Sequence, residues 1–132
     1  MVLTATDHFE IKAEINSIKG RFILDTGASN TCIGMDRIEH FSLVSQESKI
    51  KAAGAGATNM ETLISKKNVI ALRSWQFKKL KIVLFDLKHV NEALIAHNAE
   101  PVDGIIGADI LKKSKAIIDY DNKCLYLKNK KR

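Results

Sequence analysis

Phe9, Ile11, Ala13 and Ile15 alternate with polar residues, the period of two that marks a strand with one buried face. Similar short runs recur along the chain. Asn16-Ser17-Ile18-Lys19-Gly20 reads as a hairpin turn, with Arg21 to Leu24 as the returning strand. Thr31-Cys32-Ile33 predicts another strand, and Met35 to Phe41 a brief helix whose early Asp36 suits the helix dipole. Lys49 to Ala53 and Asn59 to Ile64 predict a second hairpin around Gly54-Ala55-Gly56-Ala57. Val69 to Leu72 and Leu80 to Phe85 are further strands, with Trp75 between them as a core or turn anchor. Leu87, Val90, Leu94 and Ile95 fall on one helical face and predict a short helix within Asp86 to Ala99. Pro101 ends it. A strand through Val102 to Ile106 then leads to a helix over Gly107 to Lys113. Ala116 to Tyr120 and Cys124 to Leu127 form a closing hairpin around Asp121-Asn122-Lys123. About nine short strands with one or two short helices predict an all-β fold, a closed β-barrel rather than a layered α/β sheet.

Composition narrows this picture. The chain has 132 residues, 45% of them hydrophobic, with seven Gly and one Pro. That suits one globular domain over residues 1–132, with 128–132 as a disordered basic tail. No run approaches the length of a membrane span. Met1 to Glu10 lacks the basic start and apolar core of a signal peptide. The cytoplasm is therefore the expected location if this is the full-length chain, although a piece of an anchored or secreted protein would read the same way.

The net charge of +6 raises nucleic acid as a partner. Its sources are Lys66-Lys67, Lys78-Lys79-Leu80-Lys81, Lys112-Lys113 and the tail from Lys128 to Arg132. Acidic residues are interspersed, and five Phe, two Tyr and one Trp offer little base stacking. Lysines that keep strand edges from pairing explain most of the charge. A field that attracts acidic partners or substrates is the milder functional reading. Nucleic acid is not the expected partner.

Candidate chemistry centres on Asp25-Thr26-Gly27-Ala28-Ser29, directly after the apolar run Phe22-Ile23-Leu24. An acid delivered from a buried strand onto a glycine turn is destabilising unless it is hydrogen-bonded or used. No other acid lies between Glu14 and Asp36, so the role falls on Asp25. An Asx turn, in which the side chain caps its own backbone, is the structural alternative. A second segment, Val102-Asp103-Gly104-Ile105-Ile106-Gly107-Ala108-Asp109-Ile110-Leu111, lies about 80 residues further on and gives the first its context.

Other chemistries fit less well. Gly54-Ala55-Gly56-Ala57 is no phosphate loop, because Asn59 stands where a third dinucleotide-loop Gly belongs and no Lys-Ser/Thr follows. Ser29 lacks the last Gly of a nucleophile elbow, where Thr31 stands. Cys32 and Cys124 lie in apolar, strand-like surroundings that favour buried, inert thiols, and no disulfide between them is expected. His8, His40, His89 and His97 show no zinc-ligand spacing, so no metal is expected, and none of the motifs calls for a cofactor. His89 and His97 are read as solvated.

From about Phe9 to Leu127 the chain resembles the retropepsin-like aspartic proteases, single-lobe enzymes related to retroviral proteases and to one lobe of pepsin. Asp25-Thr26-Gly27-Ala28-Ser29 and Asp103-Gly104-Ile105-Ile106-Gly107 carry the resemblance, which is nearest to bacterial chains of this type. It implies an aspartic endopeptidase. That mechanism needs two carboxylates close enough to share one proton. This chain has a single Asp-Thr-Gly; neither Asp103-Gly104 nor Asp119-Tyr120 repeats it. The partner acid is therefore expected from a second copy in a symmetric homodimer acting on a polypeptide.

By resemblance, Asp25 is the catalytic acid/base, Thr26 bonds across the dimer axis, and Gly27 lets the loop turn and presents backbone to the substrate. Ala28 and Ser29 complete that loop. Ala53, Gly54, Ala55, Gly56 and Ala57 form a flap over the substrate, and Ile105, Ile106 and Gly107 pack beneath the catalytic loop. Retroviral members carry an acid where Ser29 stands and an Arg where Ala108 stands. Both are missing here together, which strands no buried charge but removes an ion pair. Two other functions compete: a catalytically idle dimerising or peptide-binding module, and a basic barrel that binds nucleic acid.

Overall fold

Asn16 and Ser17 both take positive φ, 52° and 70°. This is the type I′ geometry whose twist matches the two strands it joins. Ile15 therefore pairs directly with Ile18, and the turn is two residues long rather than the five the sequence suggested. The computed structural model describes residues 1–4, 7–54 and 57–128, with side-chain surroundings outside 47–61. Its strands are β1 (Val2–Leu3), β2 (Phe9–Ile15), β3 (Ile18–Leu24), β4 (Cys32–Gly34), β5 (Gln46–Gly54), β6 (Ala57–Leu72), β7 (Trp75–Phe85), β8 (Gly104–Ile106), β9 (Ile117–Asp119) and β10 (Cys124–Tyr126). The two α-helices are α1 (Lys88–Ala96) and α2 (Ala108–Lys113).

Six strands close a barrel in the order β2-β3-β8-β4-β7-β6. The ring shuts where Glu14 and Ile15 of β2 pair with Ala71 and Ile70 of β6. Closure leaves the ring without a free edge. Two of its pairings are parallel, β3 with β8 and β4 with β7. Their consequence is local: β8 is clamped between β3 and β4, the strands that enter and leave the loop bearing Asp25. Phe22, Ile33, Ile82, Leu84 and Ile106 are fully buried inside the ring.

Several elements differ from the sequence reading. β6 is one strand of 16 residues, not two, because register shifts between Ser65, Asn68 and Ile70 absorb the break at Lys66-Lys67. Trp75 opens β7, buried and paired with Leu72. Of the helix foreseen over Met35 to Phe41, only a 3-10 turn at Met35–Arg37 forms. The chain then folds inward so that the Phe41 ring fills the space a side chain at Gly20 would need. In α1, Leu94 packs on Ile23 and Val102, while Ile95 stays 57% exposed instead of joining the apolar face. His89 and His97 on and beside this helix are exposed.

The hairpin of β9 and β10 stands as a separate two-stranded sheet. Cys124 on it is half-exposed, not buried as its apolar neighbours implied; Cys32 is buried, and both thiols are free. Lys128 is tied down by its N–H to the Ser114 carbonyl, 2.8 Å, and the rest of the expected disordered tail lies outside the described residues.

Candidate active site

β3 delivers Asp25 to the barrel surface. The Asp25 N–H donates to the Ile106 carbonyl at 3.0 Å, continuing the β3–β8 ladder by one step. Oδ1 accepts the Gly27 N–H at 2.9 Å, and the Ala28 N–H donates to the Asp25 carbonyl at 3.1 Å. The Asx turn and the functional candidate are thus the same residue: one oxygen orders the loop, while Oδ2 accepts no hydrogen bond from a described residue. Asp25, Thr26, Gly27 and Ser29 are exposed, and Ala28 is half-buried. Gly27 lies outside the left-handed φ region, so the sharp turn does not require its freedom of φ. What its missing Cβ leaves clear is the space 3.3 Å from Asp25 Oδ1.

The second motif braces this loop from beneath. The Ala108 N–H donates to the Ala28 carbonyl at 2.7 Å, and the Gly107 N–H to Thr31 Oγ1 at 3.2 Å. A Cβ at Gly107 would lie 2.6 Å from the Ala28 carbonyl oxygen and 2.8 Å from that of Asn30. Ile105 packs on Cys32 on the far side of β8. The two distant motifs therefore meet.

Two contacts went unread in the sequence. Thr31 donates its N–H to Asp109 Oδ2 at 3.0 Å and its hydroxyl to Oδ1 at 2.8 Å. Asp109 Oδ1 also takes the Ile110 N–H at 2.8 Å. This carboxylate holds the end of the loop through Thr31. Asp103, at the other end of β8, accepts the Arg21 N–H at 2.9 Å and lies 2.7 Å from Arg37 Nε. An acid two residues after Gly107 and a Thr two residues after Ser29 were the available signals. An Asp109→Ala chain should lose about 2–3 kcal/mol of stability in urea denaturation, because two donors of Thr31 and the Ile110 N–H lose their acceptor. Stability equal to wild type would show that the clamp is dispensable.

Cys32, beneath the loop, is no nucleophile. Burial pushes its thiol up to about 12, with the charges of Asp109 and Asp25 adding to the effect. Iodoacetamide at pH 8 should label Cys124 in the folded protein and leave Cys32 untouched until the chain is denatured. The unfolded thiol ionises near its ordinary 9.0, whereas the folded one stays neutral to about 12. Stability from this group is therefore complete below pH 9 and is lost as pH rises from about 9 toward 12. Urea midpoints at pH 8 and pH 10.5, compared between wild type and Cys32→Ala, measure that loss.

The hairpin of β5 and β6 includes Ala53, Gly54 and Ala57, with Gly54 paired to Ala57. Ala55 and Gly56 at its tip lie outside the described residues. No group of three or more His, Cys, Asp or Glu among the described residues is arranged to hold a metal ion.

Solved structures share this architecture. EIAV protease complexed with an inhibitor matches with a TM-score of 0.60 at 20% identity, over 83% of this chain and 90% of that one. The retroviral protease-like domain of Ddi1 from Leishmania major matches at 0.62 and 17%, over 93% and 90%. A retropepsin-like aspartic protease from Rickettsia conorii matches at 0.57 and 20%, over 88% and 79%. No curated protein matches the chain. The family model for aspartyl protease matches residues 11–110, a span that takes in both the loop of Asp25 and its brace. The chain belongs to the aspartyl protease family, with the retropepsin-like fold.

Proposed function

We propose that this protein is an aspartic endopeptidase whose active site forms when two copies bring their Asp25 carboxylates together. The observation that carries this reading is the exposed Asp25 on the only Asp-Thr-Gly of the chain, its backbone anchored to Ile106 and one carboxylate oxygen unbonded among the described residues. Two carboxylates sharing one proton hold a water between them; one takes its proton while the other stabilises the oxyanion that forms on the peptide carbonyl. Thr26 then lies on the dimer axis, and Gly27 offers its backbone to the extended substrate. The β5–β6 hairpin, with small residues at Ala53, Gly54 and Ala57, closes over the bound peptide as a flap. A cytoplasmic location accords with this reading, and no helix among the described residues is long and apolar enough to cross a membrane.

Sedimentation equilibrium run beside a peptide-library digest tests the proposal. The expected result is a dimer that cleaves; cleavage by a preparation that stays monomeric under assay would contradict a shared site. The rate should be highest on the acid side of neutral, since the carboxylate pair must keep its one shared proton. A kcat/KM that stays flat into strongly alkaline solution would rule out that chemistry.

A further inference from the structure

The acids interspersed along the chain stop at Glu61 and resume at Asp86. In the gap lie Lys66, Lys67, Arg73, Lys78, Lys79 and Lys81, and no acid at all. This stretch is most of the β6–β7 ribbon. All six cations are exposed, and none forms an ion pair with a described residue. Ser65 faces Ile82 and Asn68 faces Leu80, with an irregular register between. Lys66 and Lys67 therefore lie across from Lys81, and like charges so placed repel. The bulge turns both lysines outward in succession, Lys67 with a φ of 61°. Lys113 of α2 is not part of this face: its Nζ lies 4.7 Å from the centre of the Phe77 ring, which packs toward the core.

Guarding an open edge explains part of this, since only Val83–Phe85 of β7 pair with β4. A charge or two suffices for that purpose. Five cations on the two strands and Arg73 in the turn that joins them, with like charges opposed, exceed it. We infer that this face is an exosite that captures an acidic segment of the polypeptide substrate, on strands other than those that carry the loop of Asp25. Its role toward a substrate rests on the endopeptidase reading; its binding of acidic peptide does not. The chemistry of the face favours polypeptide over nucleic acid. Five of its six cations are lysines, point charges without the planar fork of Arg. The ribbon's one partly exposed aromatic ring, Phe77, packs toward the core and is engaged by Lys113, which leaves no open platform for stacked bases. Capture at such a face raises the local substrate concentration and so lowers KM without changing kcat.

The test uses Asp25→Asn protein, so that binding is read without turnover, and a fluorescent peptide carrying a run of glutamates. Charge reversal at Lys66, Lys79 and Lys81 should weaken binding by about tenfold or more, whereas reversal at Lys88, Lys123 and Lys128 should leave it within about twofold. The control carries the same net charge, so the comparison isolates the face. Should the triple Glu variant fail to fold, Lys→Gln at the same three positions should still weaken binding while keeping the wild-type circular dichroism. Equal loss in both variants overturns the proposal, as does tighter binding of a single-stranded oligonucleotide of equal charge. In active protein, a glutamate run added to one cleaved peptide should lower KM and leave kcat unchanged, an effect absent from the reversed variant. Hydrolysis of neither peptide by wild type, with binding at the face intact, would overturn the substrate role through the endopeptidase reading and not through the surface.

Discussion

Replacing Asp25 by Asn will leave the chain folded and lower kcat/KM for peptide cleavage by about 10³-fold or more, the loss of a general acid/base. The fold should survive because the substitution preserves each structural contact of the residue. The Asn carbonyl still accepts the Gly27 N–H, a bond of 2.9 Å in the wild type. The backbone N–H still donates to Ile106. The side chain is exposed, so exchanging a carboxylate for an amide carries no burial cost. What disappears is the proton acceptor, since an amide neither takes a proton from water nor holds the one that a carboxylate pair shares. Cleavage assays beside thermal melts measure the two halves separately. Hydrolysis that persists in a preparation free of contaminating protease would remove Asp25 from the mechanism.

Gly107→Ala should strongly destabilise the loop that bears Asp25, with a cost of about 3 kcal/mol. The added Cβ would meet the Ala28 oxygen at 2.6 Å, the Asn30 oxygen at 2.8 Å and the Asn30 carbonyl carbon at 2.9 Å. All three are backbone atoms and cannot rotate away. The strain is purely steric, because Gly107 has φ −101° and ψ −173°, extended backbone open to any residue. Relief requires the loop to lift off its brace, breaking the Ala108-to-Ala28 and Gly107-to-Thr31 bonds together. A drop of about 10 °C in Tm, with activity lost beyond what unfolding explains, is the expected signature. Gly27→Ala makes the contrast, since its Cβ would meet only Asp25 Oδ1, at 3.3 Å. That chain should melt within about 1 kcal/mol of wild type. Equal melting of the Gly107 and Gly27 variants would mean that the brace yields and does not hold the loop.

Where sequence reasoning went astray, a tertiary contact decided the matter. The Met35 to Phe41 segment has helical spacing, yet the pocket over Gly20 takes the Phe41 ring and leaves only a 3-10 turn. The break at Lys66-Lys67 looked like the end of a strand, because a period of two cannot represent a bulge. Ile95 fitted the apolar face of α1, but that helix is anchored at Leu94 and by Asn91, whose side chain bonds both polar groups of Val102 and turns Ile95 outward. Asp103 and Asp109 read as unremarkable acids within an apolar motif. Their bonds run to Arg21, Arg37 and Thr31, residues more than 60 positions away.

The order of residues alone determined the strand-rich character, from the alternation in β2 and the apolar runs of β3, β7 and β8. It determined the family as well, because Asp25-Thr26-Gly27 and Ile105-Ile106-Gly107 are local words in a set order. Tertiary structure decided how those words meet. Parallel pairing of β3 with β8 sets the Ile106 carbonyl against the Asp25 N–H, and the bare Gly107 lets the Ala28 carbonyl approach. It also decided that Asp109, not an ion pair, clamps the loop, and that cations from two strands share one face. Spacing along a chain encodes period and local turn chemistry, whereas a contact across some 80 residues exists only once barrel closure has set the register.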